Sequence, residues 1–420
     1  MLKTPIASSL SPNTEPDDVW IAITTLFSPW MWKKGTSTEL VEDWFRDRFK
    51  TDTVYSFNSG RTALYAILKS CAIGPGDEVI VQAFTCVAVP EVVMWVGAKP
   101  LYVDIDDSYN IDPSKLEKLI TKKTKAVIVQ HTFGIPADIK KIRKICEKHS
   151  LILIEDCAHA LGATVDGKLV GSFGDAAFFS FGRDKVVSSV FGGIAILSSK
   201  FKVQNEKLQT FHEKLSYPSF FWIKQQLLHP VMLNLFILPW YDSGIGKAVL
   251  VLFQKLKLLS FPIEKCEYTG NMPGGFLKKY PNGLAILALN QLKKLDRFNK
   301  RRISIARQYF RGLSLKGQSL QKGAIYLRYP LQLPSRNIIV KIARKEGILL
   351  GNWYHNVIDP ADCYPLSVGY TMRSCPNAEK LADGIINLPT HPRMRDEEVD
   401  KVKNFVNRYS HPVTSSGDGS

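Results

Sequence analysis

Between positions 54 and 198, short apolar runs alternate with amphipathic stretches. DEVIVQAF (77–84), AKPLYVDI (98–105), KAVIVQH (125–131), LILIEDC (151–157), AAFFSF (176–181) and GIAILSS (193–199) each read as a short buried strand. TALYAILKSC (62–71), VPEVVMWVG (89–97), PSKLEKLI (113–120) and DIKKIRKICEKH (138–149) fall between them with helical spacing. Apolar strands joined by amphipathic crossovers predict an α/β fold, a mainly parallel central sheet covered by helices on both faces. Ligands of such sheets gather at the carboxyl ends of the strands. Thr85, His131, Asp156 and Ser180 all fall there.

The remaining chain divides by pattern. Residues 1–50 form an N-terminal segment, 51–282 a large domain, 283–410 a long linking helix and small α+β C-terminal domain, and 411–420 a disordered tail. The linking helix runs from Asn282 to about Phe310, and AIYLRYPLQL and EEVDKVKNFVNRY supply a strand and a helix beyond it. Inside the large domain, 217–262 is an apolar insertion broken by Lys224, His229, Pro230, Pro239, Asp242 and Lys247. Its apolar runs are far shorter than the ~20 residues a spanning helix needs. It reads as a pair of helices packed on the protein or across a subunit interface. A second reading is an interfacial hairpin on a membrane, helped by Lys224, Lys247, Lys255 and Lys257.

Composition narrows the partners. The 420 residues carry a formal charge of +16, which favours an anionic partner. The basic residues are dispersed and accompany no nucleic-acid-binding motif, so nucleic acid is excluded and most of the charge is assigned to solvated helix surface. Seven cysteines are scattered without CxxC spacing, and the eight histidines show neither HxxxH nor HxH. That argues against a disulfide framework and against a metal site. The N-terminal stretch lacks the apolar core of a signal peptide, so a cytoplasmic location is expected.

Three features carry candidate chemistry. Asp156 ends an apolar strand, where a carboxylate loses hydration and needs a cation or a hydrogen bond. Lys185 lies in AFFSFGRDKVVSSVFGG, an enclosed setting that disfavours its charge. The two could simply pair, or Asp156 could cap the following turn. FNSGRTALYAILKS places Gly60, Arg61 and Thr62 at the start of a helix, a site suited to phosphate, although an ordinary Ser/Thr cap looks the same. Ser180 adds a hydroxyl just ahead of the lysine. Phosphate cradle, strand-end carboxylate and enclosed amine together are the parts that pyridoxal 5′-phosphate requires.

With these residues in place, the chain resembles the DegT/DnrJ/EryC1/StrS family of sugar aminotransferases, enzymes of PLP-dependent fold type I. The likeness is dense from Asn58 to Ser198, through SGRTALYAIL, IGPGDEVIV, FTCVAV, GAKPLYVDID, YNID, HTFGIPADI, IEDCAHALGA, GSFGDAAFFSF and the lysine of GRDK. It resumes at NQLKKLD and AEKLADGIINLPTHPRM. The resemblance implies that Lys185 is the catalytic lysine that carries the cofactor. It implies Asp156 as partner of the ring nitrogen, Ser180 as a phosphate ligand, and Gly60, Arg61 and Thr62 as the phosphate loop. His159 stands where many members have a glutamine that touches the ring's phenolic oxygen. A lysine at position 185 goes with transamination in this family, a histidine with dehydration.

The implied activity moves an amino group from an amino acid, glutamate by expectation, to a keto sugar, most simply a nucleotide-linked one, in amino-sugar or polysaccharide biosynthesis. A homodimer is implied as well. The alternative keeps the cofactor but takes a lipid-linked or other keto substrate at the membrane surface; a non-catalytic relative of the fold ranks below both. Departures from the family are specific. Arg61 replaces a threonine and offers the phosphate a bidentate contact. Cys86 falls where some members have an aromatic ring against the cofactor, leaving Phe84 or His131 to stack. Lys278 or Lys279 would replace the charge of an Asn–Arg stretch that reaches the neighbouring subunit. Arg373, His355 and His391 read as surface or structural groups before substrate contacts.

Overall fold

Alternation along the central strands explains the architecture. Val79, Val81, Ala126, Ile128 and Ile154 belong to one buried apolar cluster, whereas Ile80, Val127, Val129 and Leu153 belong to another. Successive side chains of a strand point to opposite faces, so helices must cover both sides of these strands. The structure, a computed structural model, describes residues 5–261, 263–313, 320–360 and 365–409. The expected tail at 411–420 and Cys363 lie outside the described residues; the other six cysteines are free thiols.

Seven strands form the main sheet: β1 (Val54–Phe57), β2 (Glu78–Gln82), β3 (Lys99–Val103), β4 (Thr124–Gln130), β5 (Ile152–Asp156), β6 (Ala176–Ser180) and β7 (Gly193–Leu197). Their order is β1-β7-β6-β5-β4-β2-β3, with β7 antiparallel to both neighbours and the pairings from β6 through β3 all parallel. The fold is thus the mainly parallel α/β sheet that the apolar runs imply. Only β1, four residues long, lacked a run of its own.

Helices α1 (Pro16–Leu26), α2 (Ser37–Phe49) and α5 (Ile139–Lys148) lie on one face, and α3 (Gly60–Ser70), α4 (Ala88–Trp95) and α6 (Lys202–Lys214) on the other. The start of α3 is fixed locally. Ser59 has extended backbone angles and its Oγ accepts the Thr62 N–H at 3.1 Å, satisfying one of the helix's unpaired donors.

The insertion folds as α7 (Phe220–Met232), an irregular turn through Trp240, and α8 (Ile245–Lys255). Helix α7 packs Ile223, Leu227 and Val231 into the cluster that holds Val19 and Ala22 of α1. Helix α8 is different: Gly246 is its one fully buried residue, while Ile245, Val251 and Leu252 are about half exposed or more. No helix among the described residues is long and apolar enough to cross a membrane.

The expected helix from Asn282 to Phe310 is two helices, α9 (Asn282–Lys293) and α10 (Leu295–Gly312), meeting at Lys294. The Lys294 amine lies 2.6 to 3.2 Å from the carboxylates of Glu15, Asp17 and Asp18, a cluster the local pattern does not reveal. Beyond α10, β8 (Tyr329–Gln332) pairs antiparallel with β9 (Ile385–Leu388) over a separate core that includes Ile305, Ile339, Val399 and Phe405.

Candidate active site

The register of the sheet aligns the site. Gln130 of β4 is opposite Asp156 of β5, Asp156 is opposite Phe178 of β6, and Ser180 is opposite Gly193 of β7. Gln130, Asp156 and Ser180 consequently meet at the carboxyl ends of adjacent strands, where they line a cavity of about 450 Å³. Gly60, Arg61, His159 and Lys185 line the same cavity, so six of the seven expected site residues converge there. Thr62 does not. Its fully buried hydroxyl donates to Asn58 Oδ1 at 2.8 Å and braces the loop from behind.

One end of the cavity is the start of α3. A Cβ at Gly60 would lie 3.0 Å from Ser180 Cβ and 3.3 Å from its Oγ. Glycine therefore brings a serine hydroxyl against the end of a helix whose first N–H groups lack intrahelical acceptors, a combination that suits a phosphate. Arg61 does not use its guanidinium as expected. The group pairs with the buried Glu267 and lies over the Phe276 ring, 4.9 Å from its centroid. A carboxylate as buried as Glu267 requires a cation, and Arg61 supplies it. Burial raises the nearby Glu91 carboxyl to about 8, with Arg61 opposing the shift.

The titratable groups line the same cavity. Burial pushes the Lys185 amine below its ordinary range, with Arg328 adding to the effect and Cys86 and Asp156 opposing it. Its stem runs past Gly182, where a Cβ would come 3.4 Å from Lys185 Cγ. The backbone beneath is clamped: Asn13 Nδ2 donates to the carbonyls of Lys185 and Val186 at 2.6 and 3.1 Å, and the buried Arg302 donates to the Val186 carbonyl at 2.7 Å. Burial raises the Asp156 carboxyl, opposed by the Ala158 N–H, which donates to Oδ1 at 2.9 Å, and by Lys185.

Adjacent Glu155 faces the opposite side of β5. It accepts N–H groups of Gly171, Phe173 and Gly174 and contacts His131 at 3.1 Å, a structural role that ties down the following loop. Glu155, His131 and Cys157 bring ligand-type atoms together, but these backbone donors already engage the carboxylate.

His159 Nδ1 accepts the Phe133 N–H at 3.4 Å, leaving Nε2 to carry the proton of a ring that burial keeps neutral. The ring lies nearly parallel to Phe133 and Tyr354. Cys86 lines the cavity, whereas Phe84 and His131, the candidates for stacking, are buried and do not line it. Sequence reasoning missed Arg328, Trp353 and Tyr354, which close the cavity from the C-terminal domain, and Leu233, Leu250 and Gln254, contributed by the insertion. Arg373 lies on the surface, His355 pairs with Asp359 at 2.7 Å, and none of Arg373, His355 and His391 lines the cavity. Lys278 and Lys279 also lie outside it, though the Lys278 carbonyl accepts the Asn58 N–H at 3.1 Å beside the phosphate end.

A lysine, a carboxylate and a serine-lined helix end thus share one cleft at the carboxyl edge of the sheet. The chain belongs to the DegT/DnrJ/EryC1/StrS aminotransferase family, whose model matches residues 17–216 and 253–407. The interruption falls on the insertion. Among curated relatives, the UDP-N-acetyl-3-dehydro-alpha-D-glucosamine 3-aminotransferase of Acidithiobacillus ferrooxidans is 29% identical over 84% of this chain and 83% of its own. The spore coat polysaccharide biosynthesis protein SpsC of Bacillus subtilis is 30% identical over 90% of each chain. A solved structure of Streptococcus pneumoniae Spr1654, provisionally assigned as a sugar aminotransferase and in its PMP form, superposes with a TM-score of 0.74 at 24% identity, covering 97% of this chain and 96% of that one.

Proposed function

We propose that this chain is a pyridoxal 5′-phosphate-dependent aminotransferase that moves an amino group from glutamate to the keto group of a nucleotide-linked sugar. The observation that carries the reading is that Lys185 and Asp156 line one cavity together with the Gly60–Ser180 cradle. The residues suit the cofactor: a cradle that only glycine leaves open, a buried carboxylate, and an amine whose pKa burial lowers. The solved PMP form of Spr1654 supports the same choice.

When bound, pyridoxal phosphate supplies an aldehyde that takes up amino groups and a ring that withdraws electrons. The protein's groups do the rest. Ser180 and the backbone donors at Gly60 and Arg61 bind the phosphate. The Asp156 carboxylate keeps a proton on the ring nitrogen, since a cation beside it restores its charge. His159, protonated on Nε2, donates to the ring's phenolic oxygen. The Lys185 amine, its pKa lowered by burial, is the base that removes a proton from the donor's α-carbon and returns it elsewhere. Two relatives that act in sugar pathways by name, one of them on a UDP-linked keto sugar, support the acceptor class. The reading includes a homodimer and a cytoplasmic enzyme.

The test is to incubate the loaded protein with glutamate and a panel of nucleotide-linked keto sugars and to weigh the products. Amination of at least one is expected, and failure with all of them sinks the acceptor class.

A second reading rests on the insertion. The family model skips 217–252, yet Leu233 and Leu250 of that stretch wall the cavity, and it exposes Leu235, Phe236, Trp240, Val251 and Leu252. Between 217 and 262 there are four lysines and one acid, Asp242. That surface suits an anionic bilayer and hence a lipid-linked keto sugar. Flotation with anionic vesicles separates the two readings.

A further inference from the structure

We infer that Arg328 is the carboxylate-binding residue for the amino-acid donor, a subsite that rests on the aminotransferase reading above. Arg328 immediately precedes β8 and lines the cavity together with Lys185. Its side chain is nearly inaccessible, at 4% exposure, and its Nε has no hydrogen-bonding partner. Among the described residues no carboxylate forms an ion pair with it. The two acids whose charge acts on it make their direct contacts elsewhere: Asp184 accepts the Ser11 N–H at 3.0 Å, and Asp359 pairs with His355 at 2.7 Å. A buried guanidinium with no directly paired carboxylate is costly, and proteins that keep one generally present it to an anionic ligand.

Position selects which anion. The guanidinium lies over the Trp353 ring, 3.7 Å from its centroid, with its Nε unpartnered, and a guanidinium recognises a carboxylate through such N–H groups. Its charge acts on Lys185 and His159, whereas the cofactor's phosphate has its own cradle at Gly60 and Ser180. An amino acid whose α-carbon must lie within reach of the Lys185 amine brings its carboxylate into this region. A diphosphate on the acceptor has the same affinity for a guanidinium, and the experiment distinguishes the two.

The test uses the cofactor-loaded full chain with Arg328→Gln and Arg328→Lys. Glutarate, an unreactive dicarboxylate, is titrated by calorimetry, and the glutamate and keto-sugar half-reactions are followed separately. The expected result is glutarate binding and glutamate KM at least about tenfold poorer in Arg328→Gln, with partial recovery in Arg328→Lys and an unchanged keto-sugar KM. The cofactor-free Arg328→Gln protein should melt no lower than wild type, because an unpaired buried charge has been removed; a purely structural arginine would give a lower melt. Unchanged glutarate binding overturns the inference, as does a defect confined to the keto sugar. Wild-type protein that yields no 2-oxoglutarate from glutamate overturns the underlying reading as well.

Discussion

Ser180 lies against the backbone of Gly60 so closely that a methyl group at position 60 would stand 3.0 Å from Ser180 Cβ. The contact joins the end of β6 to the start of α3. Two elements 120 residues apart in sequence thereby present one hydroxyl and one helix N-terminus to the same point. Gly60→Ala should displace Ser180 by a few tenths of an ångström while leaving α3 intact, since alanine is a good helix former. The expected outcome is a cofactor affinity reduced about tenfold with little change in melting temperature, read by absorbance titration. Unchanged affinity would remove Gly60 and Ser180 from the phosphate site.

Asp156→Asn keeps the shape of the side chain and the Ala158 contact but loses the charge. Turnover should fall by a factor on the order of 10²–10⁴, with cofactor binding weakened far less. A variant with near-normal turnover would show that another group holds the ring nitrogen's proton.

Stability should depend on pH through a histidine remote from the cavity. Burial holds the His391 ring to about 3, with Arg393, Arg302 and Arg301 adding to the effect. Below 6.5 the unfolded chain takes up a proton that the folded chain refuses, so the unfolded state binds more protons. Folding free energy therefore falls as pH drops from 6.5 towards 3, by at most about 1.4 kcal/mol per pH unit for this group. His391→Gln, neutral throughout, should flatten this limb in urea titrations across that range. An unaltered limb would place the acid sensitivity elsewhere.

The insertion offers a cleaner surface experiment. Val251 and Leu252 of α8 are 49% and 51% exposed, so glutamate at both should change stability by only about 1 kcal/mol. If α8 docks on a membrane, the double variant stays folded and ceases to float with anionic vesicles. Equal flotation of variant and wild type would dismiss the bilayer as partner of this face.

The parts legible in the sequence were those set by local pattern. Strands buried on both faces announce themselves as apolar runs, and six of the seven central strands did so. Asp156 and Lys185 stood out because charge within an apolar stretch is conspicuous at close range in the chain. What escaped depends on distant partners. Arg61 looked like a phosphate ligand until Glu267, over 200 residues on, took its guanidinium. Lys294 breaks the long helix beside acids near the N-terminus. Arg328 sat in an ordinary strand-like run, and only the folding of the C-terminal domain over the sheet puts it in the cavity. Phe84 and Cys86 are two residues apart, yet one is walled off by Tyr109, Phe133 and Tyr354 while the other faces the cavity.

The most direct trial is chemical. Protein loaded with pyridoxal phosphate is reduced with borohydride, digested and mapped by mass spectrometry. A single pyridoxyl group on Lys185, lost in Lys185→Ala, is the expected result. Modification at another lysine, or none at all, would contradict the assignment of this cavity as a cofactor site.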